Sequence, residues 1–205
     1  MIDQAINPDV WDFGNEILYS MCRDNPLHQD QSVIIGKIWL IGRSYAAAIE
    51  RRKKSIELDN FGGDFYVNRV APVIKNSNID NLIGAIAVTD LLSSQSLEQS
   101  LFVHFKVTEL FAEISGMEKR SLASKYLHFH RPNMFIIYDS RAEAAISKLS
   151  PIIGRVGRNR YKADNPYRKF AEKCLIIIDY IEKNFGIRLS PRQLDNLLLG
   201  LQSIA

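Results

Sequence analysis

The chain lacks the features that mark membrane, secreted and repetitive proteins. It has 2 cysteines in 205 residues, and apolar runs such as residues 174–178 are far shorter than the roughly 20 residues that cross a bilayer. The N-terminal segment carries Asp3 and Asp9 and no basic residue, so it does not resemble a signal peptide. These absences predict a cytoplasmic protein without membrane association, in which Cys22 and Cys174 are reduced core residues. Internal repeats and low-complexity segments are also absent.

The composition is that of a folded globular protein. Hydrophobic residues make up 46% and charged residues 24%, which excludes a disordered, collagen-like or disulfide-scaffold chain. Lys and Arg number 26 against 23 Asp and Glu, so the net charge is +3. This mild excess permits a nucleic-acid partner but does not require one, because phosphate binding depends on cations gathered on one face.

Helical periodicity dominates the sequence and predicts an all-α fold, a single two-lobed helical domain over residues 1–205. Helix-start and helix-stop residues mark the expected elements. The first begins at the Asn7-Pro8-Asp9 capping signal, another ends before Gly116, and a third is closed by Gly186. The predicted helices span residues 7–23, 30–54, 80–92, 97–114 and 165–185, with a short helix at 65–70 and a last one opened by Ser190-Pro191.

The segment 116–141 is the most specific passage of the sequence. A helix ends at Gly116, a basic turn containing Lys119 and Arg120 follows, and a short helix begins near Ser121. The apolar stretch 135–138 then runs extended and buried into Asp139. Because the residues after Asp139 are strong helix formers, Asp139 is predicted to cap the next helix.

This order of elements resembles the helix-hairpin-helix superfamily of DNA glycosylases, in particular its 8-oxoguanine glycosylase branch. The resemblance places the site in residues 111–147 and makes Asp139 the counterpart of the family's catalytic aspartate. It implies an enzyme that flips a base out of DNA and cleaves the N-glycosidic bond, with associated lyase activity and without a cofactor. A lysine would attack the anomeric carbon to form a Schiff base, and the aspartate would assist.

Two positions depart from the family pattern. Ser121 stands where the family has its lysine nucleophile, and Glu118 replaces the second glycine of the hairpin. Two lysines could take the role: Lys119 in the basic turn, and Lys125 one helical turn after Ser121 and on the same face. We prefer Lys125, because its apolar neighbours would desolvate the amine and lower its pKa.

Basic residues elsewhere are candidate DNA contacts, and two side chains are candidate pocket residues. His128 and His130 are too few and too differently directed for a metal site, so we expect no metal and assign His128 to the pocket together with Tyr45. The loop that ends at Lys162 is the densest basic segment. The predicted DNA-binding residues are Arg43, Arg120, Arg141, Arg155, Arg158 and Arg160.

Each of these assignments has a structural alternative. Asp139 can be an ordinary helix cap, and Lys119 a solvated turn residue. The small residues of the segment 41–48 can pack one helix closely on another instead of admitting a ligand. For the whole chain, the alternative is a non-catalytic nucleic-acid or nucleotide-binding module that keeps a glycosylase-like fold, in a bacterial defence or modification system.

Overall fold

The computed structural model describes residues 2–7, 10–51, 63–149, 153–154, 156–157 and 161–202. Within these ranges every regular element is a helix, which confirms the all-α prediction. None of the described helices is both long and apolar enough to span a bilayer. The helices are α1 (Ile2–Ile6), α2 (Asp12–Asp24), α3 (Gln31–Ser44), a π-helical turn (Tyr66–Val70) continued by α4 (Ala71–Lys75), α5 (Ile79–Gly84), α6 (Leu97–Ser115), α7 (Arg120–His130), α8 (Ser140–Lys148), α9 (Asn165–Phe185) and α10 (Pro191–Gln202).

The helix ends around the predicted site follow the sequence signals. Gly116 ends α6 in the left-handed conformation at φ 70°, and Gly186 ends α9 at φ 71°. The backbone of Asp139 is extended and its side chain accepts a hydrogen bond from the Ala142 N–H, so Asp139 caps α8 as predicted. Cys22 and Cys174 are both buried free thiols.

The buried apolar side chains form two clusters. The first includes Ile38 of α3, Phe111 of α6 and Tyr126 of α7, and the second includes Phe170 of α9. The extended segment after α7 joins them, because Phe135 belongs to the first cluster and its neighbour Ile136 to the second. Residues that follow this segment, Asp139 among them, therefore lie close to both clusters.

Three predicted helices have different limits. The predicted start at residues 7–9 lies partly outside the described residues, and α2 begins at Asp12 after a separate short helix, α1. The predicted helix 80–92 ends at Gly84, where the Ile86 carbonyl accepts a hydrogen bond from the Arg131 guanidinium instead of from a helical N–H. The predicted helix 30–54 ends early, at Ser44, and residues 52–54 of the prediction lie outside the described residues.

A chain reversal ends α3. Ala46 has a φ of 51°, and the Ala47 N–H donates to the Gly42 carbonyl at 2.7 Å, which folds the chain back over the helix. A glycine at position 42 favours this reversal, because a Cβ there would lie 3.1 Å from the Ala48 Cα, a tight contact. The small residues of the segment 41–48 thus allow two parts of the backbone to approach each other closely, but they do so within a turn and not between two packed helices.

Replacing this glycine tests the importance of the reversal. We expect Gly42→Ala to lower the free energy of unfolding by about 1–3 kcal/mol, because the new methyl group presses on the backbone of residue 48. The matched control is Gly36→Ala in the same helix, where no described atom lies within 4 Å of the place that the new methyl group would take. That variant should gain up to about 1 kcal/mol from helix propensity. Equal effects in urea unfolding would show that the contact at Gly42 is unimportant.

Candidate active site

Lys125 and Asp139 meet where the two core clusters adjoin. The Lys125 side chain is 3% exposed, and its Nζ lies 3.9 Å from Asp139 Oδ2. The same amine donates a hydrogen bond to Ser121 Oγ at 3.0 Å. Lys125 therefore extends back along α7 by one turn, the usual direction of a long helical side chain. Its amine lies beside Ser121, the position to which the family resemblance assigns the nucleophile.

Hydrogen bonds between α7 and the extended segment place Asp139 next to this amine. Ser121 Oγ donates to the Tyr138 carbonyl at 3.0 Å, and the Tyr138 N–H donates to Ser124 Oγ at 3.0 Å. Asp139 then uses Oδ1 to accept the Ala142 N–H at 2.8 Å, which leaves Oδ2 directed to Lys125. One carboxylate thus caps α8 and also compensates the lysine charge.

The reversal after α3 covers the amine from another side. The Tyr45 carbonyl accepts from Lys125 Nζ at 3.4 Å, and the amine lies 5.8 Å from the centre of the Tyr45 ring. The Tyr45 hydroxyl donates to Asn15 Oδ1 at 2.7 Å, which connects α2 to the site. Burial raises the pKa of Tyr45 to about 12, so this hydroxyl stays protonated and donates.

His128, the other predicted pocket residue, is fully buried, and its ring hydrogen-bonds to two other parts of the chain. Its ring bridges the Phe135 carbonyl at 2.9 Å through Nδ1 and the Tyr19 hydroxyl at 2.6 Å through Nε2. Since the carbonyl can only accept, Nδ1 carries the proton and Nε2 accepts from Tyr19. Burial lowers the pKa of His128 to about 4, so the ring is neutral at physiological pH.

The sequence analysis missed two residues of α10, Arg192 and Asp195. The Asp195 side chain is 3% exposed, and its Oδ2 accepts from Arg192 Nη1 at 2.9 Å. Among the described residues, Oδ1 of Asp195 and Nε of Arg192 have no hydrogen-bond partner, and neither has Nδ2 of Asn15. Burial is the main cause that raises the pKa of Asp195 to about 6; the Asp139 charge also raises this pKa, and Arg192 and Lys125 oppose the rise.

The surroundings of Lys125 shift the pKa of its amine in opposite directions. Burial is the largest effect and lowers the pKa of the Lys125 amine, which favours the neutral nucleophilic form. The carboxylates of Asp139 and Asp195 raise this pKa, and Arg141 lowers it. The site therefore contains a buried amine with a lowered pKa beside the Asp139 carboxylate, an arrangement suited to nucleophilic chemistry on an electrophilic carbon.

An open cleft of about 390 Å³ lies between the reversal after α3 and the start of α7, and Lys119 Nζ donates a hydrogen bond to the Arg51 carbonyl there. Ser121 lines this cleft and also accepts the hydrogen bond from the buried Lys125 amine, so it connects the two. The lining residues are Ala46, Ala47, Ala48, Arg51, Met117, Glu118, Lys119, Arg120, Ser121, Leu122 and Tyr138.

The predicted DNA-binding arginines have different surroundings. Arg120 contacts Asp164, the cap of α9, at 3.0 Å and Glu118 at 2.6 Å, so its charge is compensated within the fold. Arg43 pairs with Glu50 and is half exposed. Arg141 is exposed at the start of α8 and near enough to Lys125 to influence its pKa. The other three, Arg155, Arg158 and Arg160, lie outside the described residues.

Over the ranges that the structure describes, no three His, Cys, Asp or Glu side chains gather closely enough to hold a metal ion. His130 instead bonds through Nδ1 to the Tyr126 carbonyl at 2.8 Å.

No protein-family model matches the chain, and no solved structure matches it. The resemblance to DNA glycosylases therefore stays a prediction, and the site has to be judged on its own geometry.

The pKa of Asp195 makes stability depend on pH in a defined direction. Because its pKa rises from 3.8 unfolded to about 6 folded, the ionised carboxyl destabilises the protein above pH 6, and this effect disappears as the pH falls toward 4. Asp195→Asn removes the titration and keeps an acceptor for Arg192. Its stability relative to the wild type should therefore increase between pH 4 and 8, by up to about 3 kcal/mol. A difference in unfolding free energy that is constant with pH would contradict a buried, ionising Asp195.

Proposed function

We propose that the chain is a DNA glycosylase-like enzyme that extrudes a base from duplex DNA and cleaves its N-glycosidic bond. Lys125 is the nucleophile and Asp139 the assisting carboxylate. The observation that carries this proposal is the 3.9 Å approach of Lys125 Nζ to Asp139, next to Ser121, which binds the amine and lines the open cleft.

The chemistry needs a neutral amine beside a carboxylate. In its neutral form, Lys125 attacks the anomeric carbon, a new carbon–nitrogen bond forms, and the glycosidic bond breaks as the base departs with its electron pair and takes one proton from the amine nitrogen. The second amine proton passes to the ring oxygen as the sugar ring opens, which gives a neutral Schiff base that water hydrolyses. Burial of Lys125 supports the first step by lowering the amine pKa. The Asp139 carboxylate would stabilise the positive charge that develops on the sugar.

The pair must separate before a sugar can enter. A gap of 3.9 Å between Nζ and Oδ2 leaves no space for one, and Lys125 is 3% exposed. Rotation of the lysine side chain past Ser121 would carry the amine to the cleft, since lysine is a long flexible side chain. The Arg51 and Lys119 side chains along that cleft supply positive charge for the DNA backbone.

The burial of the Lys125 amine also favours a second candidate function. Lys125 is held by Ser121, Asp139 and the Tyr45 carbonyl, as expected of a charge that stabilises the fold. In that case the protein would be a nucleic-acid or nucleotide-binding module without catalysis, in keeping with the departure at Ser121. The two candidates differ in whether a covalent intermediate with DNA forms.

Borohydride trapping distinguishes the two functions. Duplex DNA containing an abasic site or an oxidised base is incubated with the protein and borohydride, which reduces a Schiff base to a stable adduct. We expect an adduct with the wild type and its loss in Lys125→Gln, with DNA binding retained because the replaced amine is buried. Lys119→Gln is the matched control, which should keep the adduct and bind DNA more weakly. An adduct that survives in Lys125→Gln and disappears in Lys119→Gln would transfer the role to Lys119.

Two substitutions separate catalysis from capping at Asp139. Asp139→Asn should still cap α8, but it should lower the free energy of unfolding because Lys125 loses its nearest carboxylate, and it should abolish base excision because the carboxylate charge is lost. Asp139→Ala should also lose the activity, and it should be less stable than the Asn variant by about 1 kcal/mol because the cap is lost as well. Excision assays and thermal unfolding measure the two effects. Full excision by the Asn variant would exclude a catalytic role for Asp139.

A further inference from the structure

Tyr138 is the last residue of the extended segment and lies directly before Asp139. The sequence analysis expects residues 135–138 to be buried, and residues 135–137 are, but Tyr138 itself is partly exposed. Tyr138 also lines the open cleft. A large aromatic side chain at the wall of a cleft offers a flat apolar surface to a ligand, provided that the fold holds the ring in one place.

The backbone of Tyr138 is held by two serines of α7. The Tyr138 N–H donates to Ser124 Oγ and the Tyr138 carbonyl accepts from Ser121 Oγ, each at 3.0 Å. Ser124 is itself oriented, because its hydroxyl donates to the Ser121 carbonyl at 2.9 Å. Both polar groups of the Tyr138 main chain are therefore satisfied by one face of α7, which fixes the point from which the ring leaves the backbone.

The ring of Tyr138 is fixed as well. Its hydroxyl donates to Glu143 Oε2 of α8 at 2.9 Å. Phe170 and Tyr167 of α9 lie with their ring planes at 88° and 70° to it, at centroid distances of 5.0 and 6.3 Å. Edge-to-face contacts of this kind restrict the rotation of an aromatic ring. Tyr138 thus has a defined position before any ligand arrives.

The ring borders the cleft between its two fixed ends. At the backbone end, Ser121 binds the Tyr138 carbonyl and lines the cleft. At the hydroxyl end, burial and then Glu143 raise the pKa of Tyr138 to about 12, while the charge of Arg120, another lining residue, opposes the rise. The hydroxyl therefore stays protonated and lies near Arg120, so the ring extends along the cleft wall from Ser121 to Arg120.

The other wall of the cleft suits a flat ligand that carries a negative charge. Residues 46–48 are alanines, whose small side chains leave room beside the tyrosine. Arg51, which is exposed, and Lys119 add positive charge to the lining. The volume of about 390 Å³ falls within the range of small-molecule sites, roughly 300–1,000 Å³. An aromatic surface beside cations is the combination that binds a nucleotide, since the base stacks and the phosphate pairs with the cations.

We propose that Tyr138 is the base-binding residue of the cleft, which takes a single nucleotide with its base against the Tyr138 ring and its phosphate toward Arg51 and Lys119. The binding of a nucleotide does not require catalysis. The identity of this base as the one that Lys125 releases rests on the proposed function. Because Asp139 follows Tyr138 directly, the sugar of a stacked base would lie next to that carboxylate.

Binding of small probes tests the stacking contact. The full chain is titrated with the four 2′-deoxynucleoside 5′-monophosphates and with 2-deoxyribose 5-phosphate, which has the same phosphate and no base. We expect the wild type to bind at least one nucleotide about 10-fold more tightly than the sugar phosphate, because stacking on an aromatic side chain adds that much affinity or more. Calorimetry or NMR chemical-shift titration gives the dissociation constants.

Two variants of Tyr138 assign this preference to the ring. Tyr138→Leu should remove most of the 10-fold preference, whereas Tyr138→Phe should keep it, because phenylalanine retains the ring and loses the bond to Glu143. Tyr180→Leu is the matched control, since Tyr180 is an exposed tyrosine of α9 that does not line the cleft. Circular dichroism verifies that each variant is folded. The Phe variant decides the question if the Leu variant fails to fold, because loss of the preference there would contradict a stacking role.

The outcomes separate this inference from the proposed function. Equal binding of nucleotides and sugar phosphate by the wild type, no detectable binding of any nucleotide, or a preference that persists in folded Tyr138→Leu would overturn it. Such a result together with a borohydride adduct on Lys125 would reject the base-binding role and keep the glycosylase function. A preference that depends on the Tyr138 ring, without an adduct in the wild type, would keep the base-binding role and show that the glycosylase function is wrong.

Discussion

The site depends on the burial of one ammonium group. Removing a lysine amine from water carries a large penalty unless opposite charge and hydrogen-bond acceptors replace the lost hydration. Around Lys125 this replacement comes from Ser121 on its own helix, the cap of α8, the Tyr45 carbonyl and, at longer range, Asp195 of α10. The need to compensate this charge explains why several elements of the chain converge at one point.

Local backbone geometry makes the convergence possible. The reversal at Ala46 turns the Tyr45 carbonyl toward Lys125 and the Tyr45 hydroxyl toward Asn15, and it brings the backbone close to Gly42, which has no side chain. On the opposite side, the two serine hydrogen bonds to Tyr138 hold the extended segment against α7. The same reversal and the start of α7 form the walls of the open cleft, so the elements that bury the lysine also give access to its surroundings.

Sequence analysis predicted the features that depend on local chemistry. The cap at Asp139, the glycine at the end of α6 and the choice of a partly desolvated Lys125 follow from signals within a few residues. The early end of α3 was not predicted, because the residues after Ser44 have helical periodicity, whereas Tyr45 makes tertiary hydrogen bonds with Asn15 and Lys125 that the sequence does not reveal.

Asp195 was missed for a related reason. In the sequence it is one acidic residue of an amphipathic helix, and its burial results from contacts with distant segments. Arg120 also has a partner that the sequence does not reveal: it was predicted as a basic turn residue that contacts DNA, and in the fold its charge is compensated by Asp164, the cap of the distant α9. Net charge and local spacing cannot reveal such pairings, which form after the helices have packed.

The central claim is that the buried Lys125 amine becomes a nucleophile toward DNA. The most direct measurement is peptide mapping by tandem mass spectrometry of the protein after borohydride reduction in the presence of abasic-site DNA and nuclease digestion. The account predicts a sugar-derived mass increase on Lys125, together with a missed tryptic cleavage at that residue. An increase located on Lys119 or on the N-terminal amine, or no modified peptide at all, would contradict it.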